Sequence, residues 1–171
     1  LISVGGSDIN NLTYDILQDI PDQLIITVVL GASSPHNEII QGCAKNKNIT
    51  VIVDSSNMAE LMLDADLSIG AGGSTSWERC CLGLPAIVIT IAENQKLIAE
   101  ELHRKGLIRW VGHKDEVNAA KLLNDLTKLL DSALPSDWSK RCWEAVDGQG
   151  VERITRILTL GPKSRLRARL A

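Results

Sequence analysis

Along the chain, short runs of apolar and β-branched residues alternate with stretches in which apolar positions recur every three or four residues. The runs are Leu1 to Val4, Leu24 to Leu30, Ile49 to Val53, Leu67 to Ile69, Ala86 to Ile89 and Ile108 to Val111. Their apolarity is nearly continuous rather than alternating, the mark of strands covered on both faces, and such strands belong to a parallel sheet. The amphipathic stretches are Asn11 to Asp19, Glu38 to Lys45, Met58 to Ala65, Thr75 to Leu82, Gln95 to Lys105 and Val117 to Leu130. Strand and helix alternate through the chain, which predicts a doubly wound α/β domain: three layers, Rossmann-like, with helices on both faces of a parallel sheet. Right-handed crossovers then bring the C-terminal ends of the strands, and the loops that follow them, to one edge.

Beyond Leu130 only helix is expected, first a stretch capped by Ser136-Asp137 and running to Ala145, then Val151 to Leu158 after the turn Asp147-Gly-Gln-Gly150. Terminal helices of this kind pack back on the sheet or on a neighbouring domain. Gly161-Pro162 ends the last helix, and residues 161–171, with Lys163, Arg165, Arg167 and Arg169, read as a tail or the start of a further segment. At the other end a strand pattern begins at Leu1 with nothing before it, so residues 1–160 read as one domain cut from a longer protein.

Composition narrows the function classes. The 171 residues suffice for one sizeable core. No apolar run approaches the roughly 18 to 20 residues a membrane span needs, so no membrane partner is expected. A net charge of −3 and a pI near 5.6 give no general attraction for nucleic acid, and any anionic ligand has to be held by local geometry. Cys43, Cys80, Cys81 and Cys142 show neither a C-x-x-C pair nor metal-ligand spacing, which fits inert buried thiols in a reducing cytoplasm; no metal or cofactor is expected. With one tyrosine and no phenylalanine there is little aromatic surface for stacked bases, and Trp77, Trp110, Trp138 and Trp143 read as core or domain-contact residues.

Three loops rich in glycine and serine follow predicted strands: Gly5-Gly-Ser-Asp8, Gly31-Ala-Ser-Ser-Pro35 and Gly70-Ala-Gly-Gly-Ser-Thr75. Small residues let a phosphate reach the backbone, where the N–H groups of the next helix's first turn and its positive dipole end meet it. Ser74 or Thr75 can cap that helix or offer a hydroxyl to a phosphate oxygen. The loops lack the Gly-Lys-Ser/Thr of Walker A and an in-register G-x-G-x-x-G, so ATPase and NAD readings fall behind. Alone, such a loop is equally a tight turn with a helix cap. Glu78 adds to it: one helical turn on, on the face of Ser74 and Thr75, its carboxylate can accept both hydroxyls of a ribose, although a first-turn glutamate is also favoured by the dipole.

Val53-Asp-Ser-Ser-Asn-Met58, Gly70-Ala-Gly-Gly-Ser-Thr-Ser-Trp-Glu78, Cys81-Leu-Gly-Leu-Pro85 and Ala92-Glu-Asn-Gln95, with Gly5-Gly-Ser-Asp8 and Asp147-Gly-Gln-Gly150, carry a resemblance. Together they resemble the C-terminal domain of the UDP-2,4-diacetamido-2,4,6-trideoxy-β-L-altropyranose hydrolases of pseudaminic acid biosynthesis. That family has the two-domain GT-B fold and is similar to the lipid-linked GlcNAc transferase of peptidoglycan synthesis. The resemblance spans nearly residues 1 to 160 and implies the C-terminal half of a GT-B fold that binds UDP or a UDP-sugar. It implies that Gly72, Gly73, Ser74 and Thr75 receive the diphosphate, Glu78 the ribose, and the backbone from Val53 to Ser56, with Met58, the uracil. Asn94 and Gln95 are implied for the hexose or β-phosphate, and Gly6 and Ser7 join the substrate-binding residues through the first loop. A helix cap at Asn94 and a solvent-facing Gln95 are the plainer alternatives.

Hydrolysis at an anomeric carbon needs a base to activate water and a means to stabilise the departing UDP. No base is visible in the chain. His36, His103 and His113 are dispersed without triad partners, His36 alone being expected at the ligand edge, and Glu93 is the local acid near the proposed sugar site. The resemblance implies a catalytic histidine in an N-terminal domain absent from this sequence. The expected function is therefore the UDP-binding half of a nucleotide-sugar hydrolase, inactive alone. The donor half of a GT-B glycosyltransferase and a non-catalytic nucleotide-sugar binding domain are the alternatives.

Overall fold

The computed structural model describes residues 1–5, 8, 11–44 and 48–159; Gly6, Ser7 and the basic segment 161–171 lie outside the described residues. Six strands form one sheet: β1 (Ile2–Ser3), β2 (Ile26–Leu30), β3 (Ile49–Val53), β4 (Ser68–Ala71), β5 (Ala86–Thr90) and β6 (Arg109–His113). Their order is β3-β2-β1-β4-β5-β6, and neighbours pair in parallel throughout. The chain builds outward from β1 to β3, then crosses back and builds β4 to β6 on the other side. The direction of build thus reverses between β1 and β4, whose adjacent ends form the switch point of the sheet.

Helices α1 (Leu12–Asp19), α2 (Asn37–Cys43) and α6 (Ala119–Asp131) cover one face. Helices α4 (Ser74–Cys81), α5 (Lys96–Arg104) and α7 (Trp138–Ala145) cover the other. Helix α3 (Met58–Leu63) links β3 to β4. Strand β5 shows why a continuous apolar run is required: Ile87 and Ile89 enter the core of the first face with Ile16, Val28 and Leu122, whereas Ala86 and Val88 enter the second with Leu102 and Ile108. Successive side chains point to opposite faces, so each position in turn is withdrawn from water. Each buried Val, Leu or Ile stabilises the fold by about 1.5–3 kcal/mol before conformational entropy is counted.

The expected elements all form, with informative shifts at their ends. Strand β4 runs on to Ala71 through Gly70, which reads as a turn residue in the sequence but here fills a paired strand position opposite Ser3. Strand β6 continues to His113 because a bulge at Val88/Ile89 leaves Val111 unpaired and Gly112 takes φ 130°. Helix α7 is pinned by Trp138, whose indole N–H donates to the Leu107 carbonyl at 2.8 Å, and by Cys142, whose thiol donates to the same oxygen at 3.1 Å.

Trp138 is buried in the core, whereas Trp77 and Trp143, at 42% and 68% exposed, lie outside the core of this domain. The expectation of buried thiols needs correction in part. Cys80 and Cys142 are buried, whereas Cys43 and Cys81 are only half-buried. A hydrogen bond with Cys142, together with burial, pushes the Cys80 thiol up, which keeps it protonated and inert. Helix α8 (Gly150–Thr159) buries no residue, leaving Val151, Ile154, Ile157 and Leu158 exposed along one side. Among the described residues no helix is long and apolar enough to cross a membrane.

Candidate functional site

Strand β4 passes into α4 across two glycines. Gly73 holds φ 104° and ψ −152°, a conformation essentially confined to glycine, and this turns the chain from strand into helix within one residue. Gly73 itself is the N-cap, so Ser74 and Thr75 do not cap the helix as expected; they occupy its first two positions, one and two residues past the cap. Gly73 has no side chain with which to cap, and among the described residues no side chain accepts from the Ser74 and Thr75 amides. Those amides, at the positive end of the helix dipole, stay open to an acceptor from outside the chain.

Helix α1 is the contrast. Asp8 is buried, and its two carboxylate oxygens accept the amides of Leu12 and Thr13, each at 3.0 Å. Asp8, the last residue of the loop Gly5-Gly-Ser-Asp8, thus closes the start of α1 with an internal anion. Helix α6 is likewise capped from within, by Asn118 accepting from Lys121 N at 2.9 Å. The starts of α2, α3, α5 and α7 also lack a side-chain cap, and what sets α4 apart is the glycine pair that leads into it.

Gln95 is brought onto the open loop. The short 3-10 turn Glu93–Gln95 follows β5, and the Gln95 side-chain oxygen accepts from Ile91 N at 2.9 Å. Its amide head lies against both glycines: a Cβ at Gly72 would stand 3.3 Å from Oε1 and one at Gly73 3.4 Å from Nε2. Gln95 therefore faces the loop, not solvent, while Asn94 beside it is exposed. Glu78 is exposed one turn into α4, four residues after Ser74, with Thr75 half-buried between the two. Val53 and Met58, at the end of β3 and the start of α3, share the C-terminal edge, but β2 and β1 stand between β3 and β4. Three strand spacings, roughly 14 Å, separate them from the glycine loop, a span the ligand would have to bridge.

Two buried groups escape sequence reasoning. His113 joins His36 on this edge because β6 is extended by its bulge; the ring is 6% exposed, with Nδ1 3.0 Å from the Asp115 carboxylate and Nε2 3.8 Å from Glu93. Arg79, adjacent to Glu78, turns inward and is 1% exposed, its Nη1 donating to the Ala71 carbonyl at 3.0 Å. Glu93 forms an ion pair with Lys96 at 2.8 Å, which holds its carboxyl below the ordinary range and makes it a weaker proton acceptor. The assembled groups can hold an anion at the α4 start and hydrogen-bond hydroxyls through Glu78 and Gln95. Among the described residues, two grooves of about 730 and 400 Å³ lie at the opposite edge of the sheet, before β4 and β5, away from these residues.

Residues 1–142 match the model of the glycosyltransferase family 28 C-terminal domain. The chain belongs to this family. It is 31% identical over 166 residues to the spore coat polysaccharide biosynthesis protein SpsG of Bacillus subtilis, covering 92% of this chain and 49% of that protein. It is 32% identical over 106 residues to the UDP-2,4-diacetamido-2,4,6-trideoxy-β-L-altropyranose hydrolase of Campylobacter jejuni, covering 61% and 39% respectively, so the resemblance carried by its motifs is borne out. Among solved structures, MurG of Acinetobacter baumannii superposes with a TM-score of 0.71 at 19% identity, covering 91% of this chain and 48% of that one. The fold is that of a C-terminal GT-B domain, and the chain spans about half or less of the length of the relatives it matches.

Proposed function

We propose that this family 28 domain is the UDP-binding half of a nucleotide-sugar hydrolase that cleaves UDP from a 2,4-diacetamido-2,4,6-trideoxy hexose in pseudaminic acid biosynthesis. The observation that carries the nucleotide reading is the α4 start: open amides after Gly72-Gly73, Gln95 laid against the same glycines, and Glu78 one turn further on. In this reading the amides of Gly73, Ser74 and Thr75 hold the diphosphate, Glu78 accepts the ribose hydroxyls, Val53 and Met58 flank the uracil, and Asn94 and Gln95 meet the hexose or β-phosphate. Water attacks the anomeric carbon, the bond from that carbon to the β-phosphate oxygen breaks, and UDP departs with the bonding pair. The open helix start stabilises the charge developing on that oxygen. The proton of the attacking water goes to a base in the N-terminal half, the proposed domain partner; residues 1–160 form the binding domain.

The hydrolase assignment is supported by the identity to the Campylobacter protein. A second reading, the donor half of a glycosyltransferase, is favoured by the family's own description. Calorimetric titration of the chain with UDP and with inorganic pyrophosphate tests the nucleotide site. Glu78→Ala should weaken UDP by roughly 10- to 100-fold, the loss of hydrogen bonds to a charged group, and leave pyrophosphate nearly unchanged. Equal weakening of both removes the ribose role, and absence of UDP binding removes the hydrolase and transferase readings together. UDP release by the full-length protein without any acceptor separates these two.

A further inference from the structure

Arg79 is the largest fully buried side chain of the domain, and its environment is unusual for an arginine. A buried guanidinium is normally paired with a carboxylate, because taking an unpaired charge out of water is costly. Among the described residues no carboxylate lies within 4 Å of it; Nη1 donates to the Ala71 carbonyl, and the buried Nε has no acceptor. The group fills the space that a side chain at position 70 would need: a Cβ on Gly70 would stand 2.2 Å from Nη2 and 2.3 Å from the Ser3 carbonyl oxygen. It therefore lies between the ends of β1 and β4, at the switch point of the sheet and under the strand end that leads into Gly72 and Gly73. Burial draws its pKa down to about 10, with Glu78 the first influence opposing that. At neutral pH the group stays charged.

Building on the nucleotide reading above, we infer that Arg79 is a positioning residue for phosphate: a buried, fixed positive charge beneath the glycine loop whose missing counter-ion is the diphosphate of the ligand. Two features follow from one arrangement. A chain of net charge −3, with no other basic side chain between Gly70 and Glu78, gains a local positive field at the open start of α4. The bond to Ala71 O also fixes the last strand residue before the glycines, so the amides that meet the phosphate are set in advance of binding. Gly70 is the sequence's accommodation of that guanidinium.

The test compares UDP with uridine, whose affinities differ by what the phosphates contribute, in wild type, Arg79→Met and Arg79→Lys. Arg79→Met should reduce the preference for UDP over uridine by about tenfold or more, about 1.4 kcal/mol, with uridine affinity little changed. Arg79→Lys should keep most of that preference, since the charge is retained. A folded Arg79→Met variant with an unaltered preference overturns the inference, as does a folded Arg79→Lys variant that loses as much as Arg79→Met. Should Arg79→Met fail to fold, the wild-type chain labelled with 15N-arginine supplies the reading. The Arg79 Nε–H resonance should move on adding UDP or pyrophosphate and stay in place with uridine; a resonance unmoved by saturating UDP overturns the inference. Absence of UDP binding by wild type refutes the nucleotide reading itself, and is thereby distinguished from a failure of Arg79's part in it.

Discussion

Gly70→Ala is the most severe small change the structure predicts. The added methyl would meet two atoms far inside any tolerated contact: Arg79 Nη2 at 2.2 Å and the Ser3 carbonyl oxygen at 2.3 Å. The arginine can swing away, but the carbonyl belongs to the strand paired with β4 at this position. Forcing an extra methyl into a packed site costs about 1–3 kcal/mol. Displacing the guanidinium from the Ala71 carbonyl gives up a charge-assisted hydrogen bond worth about 1.5–3 kcal/mol. Together they amount to about 4 kcal/mol, a large fraction of the ordinary 5–15 kcal/mol stability of a domain. In a urea melt with a slope of about 2 kcal/mol per molar, the midpoint should fall by about 2 M. Gly42→Ala is the internal control: nothing lies within 4 Å of a Cβ at this exposed position of α2, and the change should stabilise by about 0.5–1 kcal/mol. A Gly70→Ala midpoint within about 0.5 M of wild type would refute the placement of Arg79 against Gly70.

Further outcomes follow from the same structure. Gly73→Ala meets only the flexible Gln95 amide at 3.4 Å, so its cost, about 1–3 kcal/mol, comes from the backbone angle; relief of that strain turns the α4 amides, and calorimetry should show UDP bound at least about tenfold more weakly. Unchanged UDP affinity in Gly73→Ala would mean that those amides do not hold the ligand. Glu101 is held at about 2 by Arg104 first, then Lys105, against an ordinary 4.5. Its folded pKa is depressed, so the small stabilisation from this exposed cluster is complete above about 4.5 and is lost as pH falls through about 2. A 13C titration of its carboxyl should find the midpoint near the lower value; a midpoint near 4.5 would show the pairing absent in solution.

The sheet was legible because strands buried on both faces must be apolar throughout; Ile49–Val53 coincides with its run residue for residue. What escaped lies where tertiary context overrides local pattern. Gly70 reads as the first residue of a turn, and only the neighbouring strand and the buried arginine explain a glycine inside β4. Charged residues on a helix read as solvent-facing, so nothing in Ser76-Trp77-Glu78-Arg79 announces that Arg79 turns inward while Trp77 stays exposed. Gly5-Gly-Ser-Asp8 and Gly70-Ala-Gly-Gly-Ser-Thr75 look alike in composition, yet the Asp8 carboxylate closes one helix start and, among the described residues, no side chain closes the other. That difference depends on where a side chain folds back, which spacing alone does not reveal. His113 was missed because its strand was expected to end at Val111, before the bulge that carries it to the edge.

Binding of a nucleoside diphosphate at the open start of α4 is directly measurable. Amide shift mapping of the 15N-labelled chain during a UDP titration tests it most directly. The largest, saturable shifts are expected at Gly73, Ser74 and Thr75, with Gly72, Glu78 and the Gln95 side-chain amide following. Shifts concentrated instead around Met62, Leu82 and Trp143, in the groove at the opposite edge of the sheet, would contradict it.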